Sequence, residues 1–397
     1  MIRSSSSPLD KSVAGRDPSD MTSSRPLNIG ITCYPSVGGS GILASALGEE
    51  LARRGHQIHF ISYERPFRLP VDTARIHFHP VTINDYGLFK YPDYTLPLSV
   101  KMAEVTRAHA LDILHVHYAV PHATAAILAR DMLAPTHRPR VVTTLHGTDT
   151  TLLGRDAGYG PAISHALACS DAITTVSHYL CHQTQELLQV ERPIEVIHNF
   201  FVPRPPRRTR EQVRAELGVS DEVLLLHSSN LRPVKRIDLL LEAVAGARGC
   251  GAFKLLILAG ESFEPFVEAV RRLGLDDRVI VREKATDVEE FLQAADLALY
   301  TSESESFCLS ILEAMCFGCP SIAMCVGGIP EVVADGETGV LVSFGDVPAF
   351  SKALALLIRE PARRIALGRA ALKRAAKDFS ANVIVPQYEA LYRRVCS

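Results

Sequence analysis

Short apolar runs alternate with longer amphipathic stretches from residue 27 almost to the end of the chain. Leu27–Cys33, Gln57–Ser62, Asp112–His117, Arg140–Leu145, Ala172–Val176 and Ile194–Ile197 have the length and bounding residues of strands, with helical periodicity over Ile42–Arg54 and Pro121–Leu133. A second series follows after residue 220. Its predicted strands are Val223–Ser228, Lys254–Ala259, Val279–Arg282, Asp296–Tyr300, Pro320–Met324 and Gly339–Val342. Helical patterns cover Ile237–Ala247, Phe263–Leu273, Val288–Ala294, a turn at Glu331, Pro348–Arg359, Ala362–Lys377 and Asn382–Val395. Strands that read as continuous apolar runs, each followed by a helix, predict parallel sheets covered on both faces. The expected fold class is α/β, with two Rossmann-like doubly wound parallel-sheet domains facing each other across a cleft.

Composition sets the boundaries. Residues 1–25 are rich in Ser, Pro and charge without an apolar core, and read as a disordered extension that is neither signal peptide nor fold. Residues 26–200 form the first predicted domain. A Pro- and Arg-rich linker covers 201–220, residues 221–378 form the second domain, and the last amphipathic segment, 379–397, is placed to cross back to the first. With 47% hydrophobic residues, 22% charged and a formal charge of −2, the chain lacks the basic excess of a nucleic-acid binder. No apolar run approaches the ~18 residues of a membrane span. The nine cysteines are odd in number and scattered, which points to reduced thiols and a cytoplasmic location. Cys316 and Cys319 form a C-x-x-C pair, but no second pair or nearby histidine completes a zinc site.

Polar residues collect just past the predicted strand ends, where open α/β sheets bind ligands. In the first domain these are Tyr118, then Thr144, His146, Gly147, Thr148 and Asp149, then Ser177 and His178. His115 and His117 alternate with apolar neighbours, and at least one should be a buried structural histidine. The turn from Tyr34 to Gly41 leads from strand to helix with glycines that let a backbone approach an anion, although it is not G-x-G-x-x-G. A plain tight turn fits the same residues. In the second domain the loop Asn230–Arg236 brings Arg232, Lys235 and Arg236 beside a strand end, a set able to neutralise a diphosphate or to form a solvated basic turn. Ser302–Met315 runs from a strand through a polar loop into a helix. Its unpaired first-turn N–H groups suit phosphate, and Glu305 and Glu313 suit the hydroxyls of a sugar, or merely the start and the face of a helix.

Together the two lobes, HGTD at 146–149, RPVKR at 232–236 and the pair Glu305/Glu313 resemble the retaining GT-B glycosyltransferases of family 4, over everything from about residue 27 onward. Within that family, the stretches at Ile29–Gly41, His115–Ala123, Thr144–Asp149 and Ser229–Arg236 look like the branch that transfers N-acetylglucosamine from UDP-N-acetylglucosamine to L-malate in bacillithiol biosynthesis. The resemblance implies catalytic roles for His146, Arg232, Lys235 and Glu305. It implies nucleotide or donor contacts for Gly39, Phe307, Cys308, Leu309 and Glu313, and acceptor contacts for Ser40, Tyr118, Thr144 and Asn230. It implies no metal and no cofactor. The partners are the two substrates, with no nucleic acid and no membrane span; a homo-oligomer is left open. Two departures stand out. The family usually has Gly where Cys308 stands, so this loop must tolerate a side chain, which it can if that residue has φ < 0. Between Asp156 and Glu191 there is no arginine to neutralise a malate carboxylate. The competing readings are a related transferase using an inositol phosphate or another sugar, a nucleotide-sugar epimerase on the same fold, and a non-catalytic nucleotide binder.

Overall fold

The computed structural model describes residues 25–35, 38–69, 73–83 and 93–397. The N-terminal extension up to residue 24, and Ser36 and Val37 of the glycine-rich turn, lie outside the described residues.

The first lobe contains β1 (Asn28–Thr32), α1 (Gly39–Arg53), β2 (Gln57–Ser62), β3 (Ile76–Pro80), α2 (Thr95–His109), β4 (Ile113–His117), α3 (Thr124–Asp131), β5 (Arg140–Leu145), α4 (Gly160–Cys169), β6 (Ala172–Thr175), α5 (His178–Leu188) and β7 (Ile194–Val196). These strands form one parallel sheet in the order β3-β2-β1-β4-β5-β6-β7. After α6 (Arg210–Glu216) the second lobe adds β8 (Val223–Ser229), α7 (Ile237–Gly246), β9 (Phe253–Ala259), α8 (Val267–Arg272), β10 (Val279–Glu283), α9 (Val288–Ala294), β11 (Leu297–Tyr300), α10 (Leu309–Cys316), β12 (Ser321–Met324), α11 (Ile329–Val332) and β13 (Gly339–Val342). Its sheet is also parallel, ordered β10-β9-β8-β11-β12-β13. Helices α12 (Val347–Arg359), α13 (Pro361–Asp378) and α14 (Ala381–Cys396) follow.

Both sheets reverse their strand order once, between β1 and β4 and between β8 and β11. Such switch points leave a crevice at the carboxyl ends of the strands. Central strands are apolar throughout because helices cover both faces; all five residues of β4 are buried. The last helix belongs to the first lobe's core: Ile384, Val385, Tyr388, Leu391 and Tyr392 pack with Ile29, Ile31 and Phe60. The chain therefore passes between lobes twice, once between β7 and α6 and again between α13 and α14.

Four elements have no counterpart in the sequence pattern: β3, α2, α4 and α5. In β3 (IHFHP) two histidines occupy the positions an apolar run would fill. In α2, Pro97 and the β-branched Val and Thr weaken the local signal, and burial of Leu98, Met102 and Val105 against the sheet decides the fold instead. The predicted helix at 121–133 starts only at Thr124, because the chain makes a wide turn over Ala119–Ala123 with Val120 extended.

Candidate active site

Strand ends of the two lobes converge on one cleft. From the first lobe, α1 begins at Gly39 after the Gly38 cap, and the half-buried Ser40 accepts a hydrogen bond from the Tyr118 hydroxyl at 2.9 Å. Tyr118 follows directly on β4 with φ 82 and ψ 141, a backbone conformation that costs energy in any residue but glycine. Burial pushes its phenol up to about 12, so the hydroxyl keeps its proton and can donate. His146 sits beyond β5, its ring 5.0 Å from that of Tyr118. Its Nε2 lies 2.9 Å from His117 Nδ1.

Burial holds His146 near 3 and His117 well below the ordinary histidine value, so both are neutral at physiological pH. One of the two facing nitrogens must carry the shared hydrogen. His117 Nε2 is buried without a partner. The cheaper tautomer makes that nitrogen an unpaired acceptor and not an unpaired N–H, so His117 Nδ1–H donates and His146 Nδ1–H remains available to a ligand. Asp149 shapes this loop by accepting from the N–H groups of Gly147 (3.0 Å) and Ala119 (3.3 Å). Burial raises its carboxyl to about 6 against those two donors.

The second lobe contributes two loops locked together. Thr301 Oγ1 donates to the carbonyls of Lys235 (3.1 Å) and Arg236 (2.9 Å), which fixes the cationic loop against the end of β11. Lys235 Nζ bonds Glu305 Oε1 at 2.6 Å, and Ser302 Oγ donates to the same oxygen at 2.7 Å. Burial opposes the Lys235 charge, but Glu305 beside it outweighs that and leaves the ammonium pKa raised. Of the three cations read from the sequence, Arg236 is engaged by Asp238 at 2.7 Å. Arg232 is exposed, with no ion pair among the described residues. Asn230 Oδ1 accepts the Arg232 N–H at 3.4 Å and shapes that turn.

Behind Glu305, Gly328 N–H donates to its carbonyl at 2.9 Å, and a Cβ on Gly327 would lie 2.0 Å from the same oxygen. Only glycine permits that approach, which stiffens the loop before α10. Phe307 is buried against Phe379 and His198, with centroids at 5.7 and 5.9 Å. Cys308 caps α10 at φ 69 and ψ 73. The condition φ < 0, under which a side chain fits without strain, is not met: the loop keeps the left-handed geometry of a glycine, and Cys308 bears the steric cost. The two helix starts meet across the cleft, since a Cβ on Gly39 would come within 3.5 Å of Leu309. Gly147 touches Ser306 so closely that its Cβ would fall 1.9 Å from the serine Oγ. The lobes are closed.

Thr144 does not join this group. It is fully buried, with its hydroxyl 2.7 Å from His115 Nε2 and 2.6 Å from Thr174 Oγ1. Tyr392 of α14 closes the chain at 2.7 Å from His115 Nδ1. Thr144 therefore holds the floor of the cleft, and it offers no free donor to an acceptor molecule. His115 and His117 are both fully buried, in keeping with a structural role.

Other contacts across the cleft carry no sequence signal. Arg68 makes a two-pronged bridge to Glu289 of α9 at 2.6 and 2.9 Å. Glu331 of α11 caps α5 from the opposite lobe, accepting from the N–H groups of His178 (2.9 Å) and Tyr179 (2.8 Å) and from His198 Nε2 (3.0 Å). A carboxylate at a helix N-terminus is favourable both as an acceptor and against the dipole.

Glu313, on α10, is buried, and burial drives its carboxyl up to about 7 even with Arg68 nearby. Its folded pKa exceeds the ordinary 4.5, so the folded chain holds this proton more tightly than the unfolded one. The stability tied to it is complete below about pH 4.5 and is lost as the pH rises through about 7. Glu313→Gln is accordingly expected to melt above the parent at pH 8 and near it at pH 5, while binding UDP about tenfold or more weakly. Melting curves across that range and titration calorimetry with UDP test both halves. An unchanged dissociation constant would leave Glu313 a helix residue with no ligand role.

The fold and cleft agree with the chain's relatives. Residues 37–204 match Glycosyltransferase Family 4 and residues 209–374 match Glycosyl transferases group 1. The protein belongs to the family 4, GT-B glycosyltransferases. Among curated relatives, the N-acetyl-alpha-D-glucosaminyl L-malate synthase of Bacillus anthracis is 43% identical over 369 residues, covering 92% of this chain and 96% of its own length. The D-inositol 3-phosphate glycosyltransferase of Mycobacterium bovis is 29% identical over 431 residues, covering 99% and 87%. Among solved structures, the sucrose-phosphate synthase of Thermosynechococcus elongatus superposes with a TM-score of 0.77 at 21% identity, over 93% of this chain and 99% of that one. Among the described residues no helix is long and apolar enough to cross a membrane.

Proposed function

We propose that this enzyme transfers N-acetylglucosamine from UDP-N-acetylglucosamine to the hydroxyl of L-malate with retention of the α configuration, releasing UDP in the cytoplasm. The observation that carries the reading is the 43% identity to the Bacillus anthracis N-acetyl-alpha-D-glucosaminyl L-malate synthase, sustained over 92% of this chain. Arg232, Lys235 and the first turn of α10 stabilise the leaving diphosphate, the charge that grows most in the transition state. Glu313 takes the ribose, and His146 Nδ1–H reaches the donor sugar. Glu305 binds sugar hydroxyls and is not the nucleophile: one of its oxygens already accepts from both Lys235 and Ser302, which blunts a carboxylate for attack. The malate hydroxyl therefore attacks from the face the diphosphate leaves, and its proton passes to a departing phosphate oxygen. Across the cleft, the start of α1 with Ser40 and the Tyr118 hydroxyl binds one malate carboxylate, as a helix N-terminus does. Asn230 approaches the other from the second lobe.

UDP release measured in excess EDTA, with L-malate, D-malate, succinate and an inositol phosphate as acceptors, tests this directly. L-malate is expected to be turned over undiminished by the chelator. Succinate lacks the nucleophile, and D-malate misplaces it. Tyr118→Phe is expected to raise the KM for malate more than that for the nucleotide sugar. Product from the inositol phosphate and none from L-malate would overturn the acceptor assignment, and loss of turnover in EDTA would overturn the metal-free leaving-group chemistry.

A further inference from the structure

Away from the cleft, under α2 and at the β3 edge of the first sheet, four histidines gather. His59 of β2 and His77 of β3 are register partners in the parallel ladder, His79 lies two residues further along the same strand, and His109 closes α2 beside them. His59 Nδ1 is 3.0 Å from His79 Nε2, and the ring centroids of His59 and His109 are 4.4 Å apart. One ring nitrogen from each of His59, His79 and His109 lies within 4.8 Å of the others. His59 is buried, His79 half-buried and His109 exposed, so the cluster is walled on its sheet side and open to solvent at the helix end. The close of α2 is itself held down, its His109 carbonyl accepting from Asn28 Nδ2 at 3.0 Å.

We propose that His59, His79 and His109 form a binding site for one divalent transition-metal ion of the zinc type. Zinc–imidazole bonds of about 2.0–2.1 Å set tetrahedral ligand nitrogens about 3.3 Å apart. The His59–His79 pair is already near that spacing, and only the exposed His109 ring has to swing inward. Three neutral imidazoles without a carboxylate favour zinc, copper or nickel over magnesium and calcium. His77 supports the cluster without joining it: its ring stacks on His59 at 4.9 Å, and its Nε2 faces Gln57 Oε1 at 3.3 Å. The charged neighbours Lys101 and Glu104 pair with each other at 2.7 Å and add no net charge. No spacing along the chain announces such a site, because its ligands come from two strands and a helix that only the fold assembles. A bound ion would tie β2, β3 and α2 together at the β3 edge of the sheet.

The test uses the full chain, stripped with chelator and dialysed, then titrated with zinc against a colorimetric competitor and melted with and without the metal. One equivalent per chain is expected, with a rise in Tm of at least about 3 °C at saturating zinc. His79→Gln and His109→Gln are each expected to lose that equivalent, weakening binding more than tenfold, whereas His198→Gln, in the separate cluster around Glu331, retains it. His109 is exposed at a helix end, so its variant reports on binding even if His79→Gln fails to fold. Absence of a stoichiometric zinc in the parent, or equal zinc in the parent and His109→Gln, overturns the site.

Discussion

Lys235→Ala is expected to lower kcat by about a hundredfold or more, a loss typical of removing one preorganised charge from the developing charge of a transition state. Two effects add in the same direction. The diphosphate loses a cation held in place by the Thr301 clamp on its loop. Glu305 also loses the partner that stands 2.6 Å away in the free enzyme, so its carboxylate faces the incoming phosphates with only Ser302 to soften it. Lys235→Arg should recover little, because a planar fork does not reproduce a compact ammonium wedged between a carboxylate and a ligand. Arg232→Ala is expected to be comparably slow but better folded, since that exposed side chain has no internal partner to strand. Steady-state kinetics with melting curves on the same samples decide it: near-parental kcat in both variants would sink the diphosphate assignment.

Gly147→Ala should rank next, with kcat falling about tenfold to a hundredfold, as when reacting groups are displaced by about 1 Å. The residue has φ 114, and an added Cβ would meet Ser306 Oγ at 1.9 Å, so the substitution strains the loop and wedges the lobes apart. The residues proposed to hold the nucleotide, Arg232, Lys235 and Glu313, lie in the second lobe and are not displaced. UDP affinity measured by calorimetry should stay within about twofold of the parent, because only the step that needs both lobes is disturbed. Unimpaired kcat would show that the closed contact between Gly147 and Ser306 is not part of turnover.

The two sheets were legible in the pattern because buried parallel strands are continuous apolar runs, and Arg140–Leu145 or Gly339–Val342 can be bounded to the residue from polarity alone. Strand β3 was not, since its histidines serve a polar cluster. Ligand-type residues past strand ends were legible as candidates for the same topological reason, although polarity alone could not separate Thr144, whose hydroxyl faces the sheet interior, from Tyr118, whose hydroxyl meets Ser40. The sign of φ at Cys308 could not be read either: the side chain argued for an ordinary conformation, and the surrounding loop imposed another. Contacts such as Arg68 with Glu289 or Glu331 with α5 join residues separated by 221 and 153 positions, and no local pattern encodes a partner that distant.

Because α14 returns to the first lobe's core, the second lobe is an insertion suspended from two strands of chain and not a bead on one. Two crossings restrict the relative motion of the lobes more than one would, so Arg232 and Lys235 return opposite Ser40 and Tyr118 over a narrower range of paths.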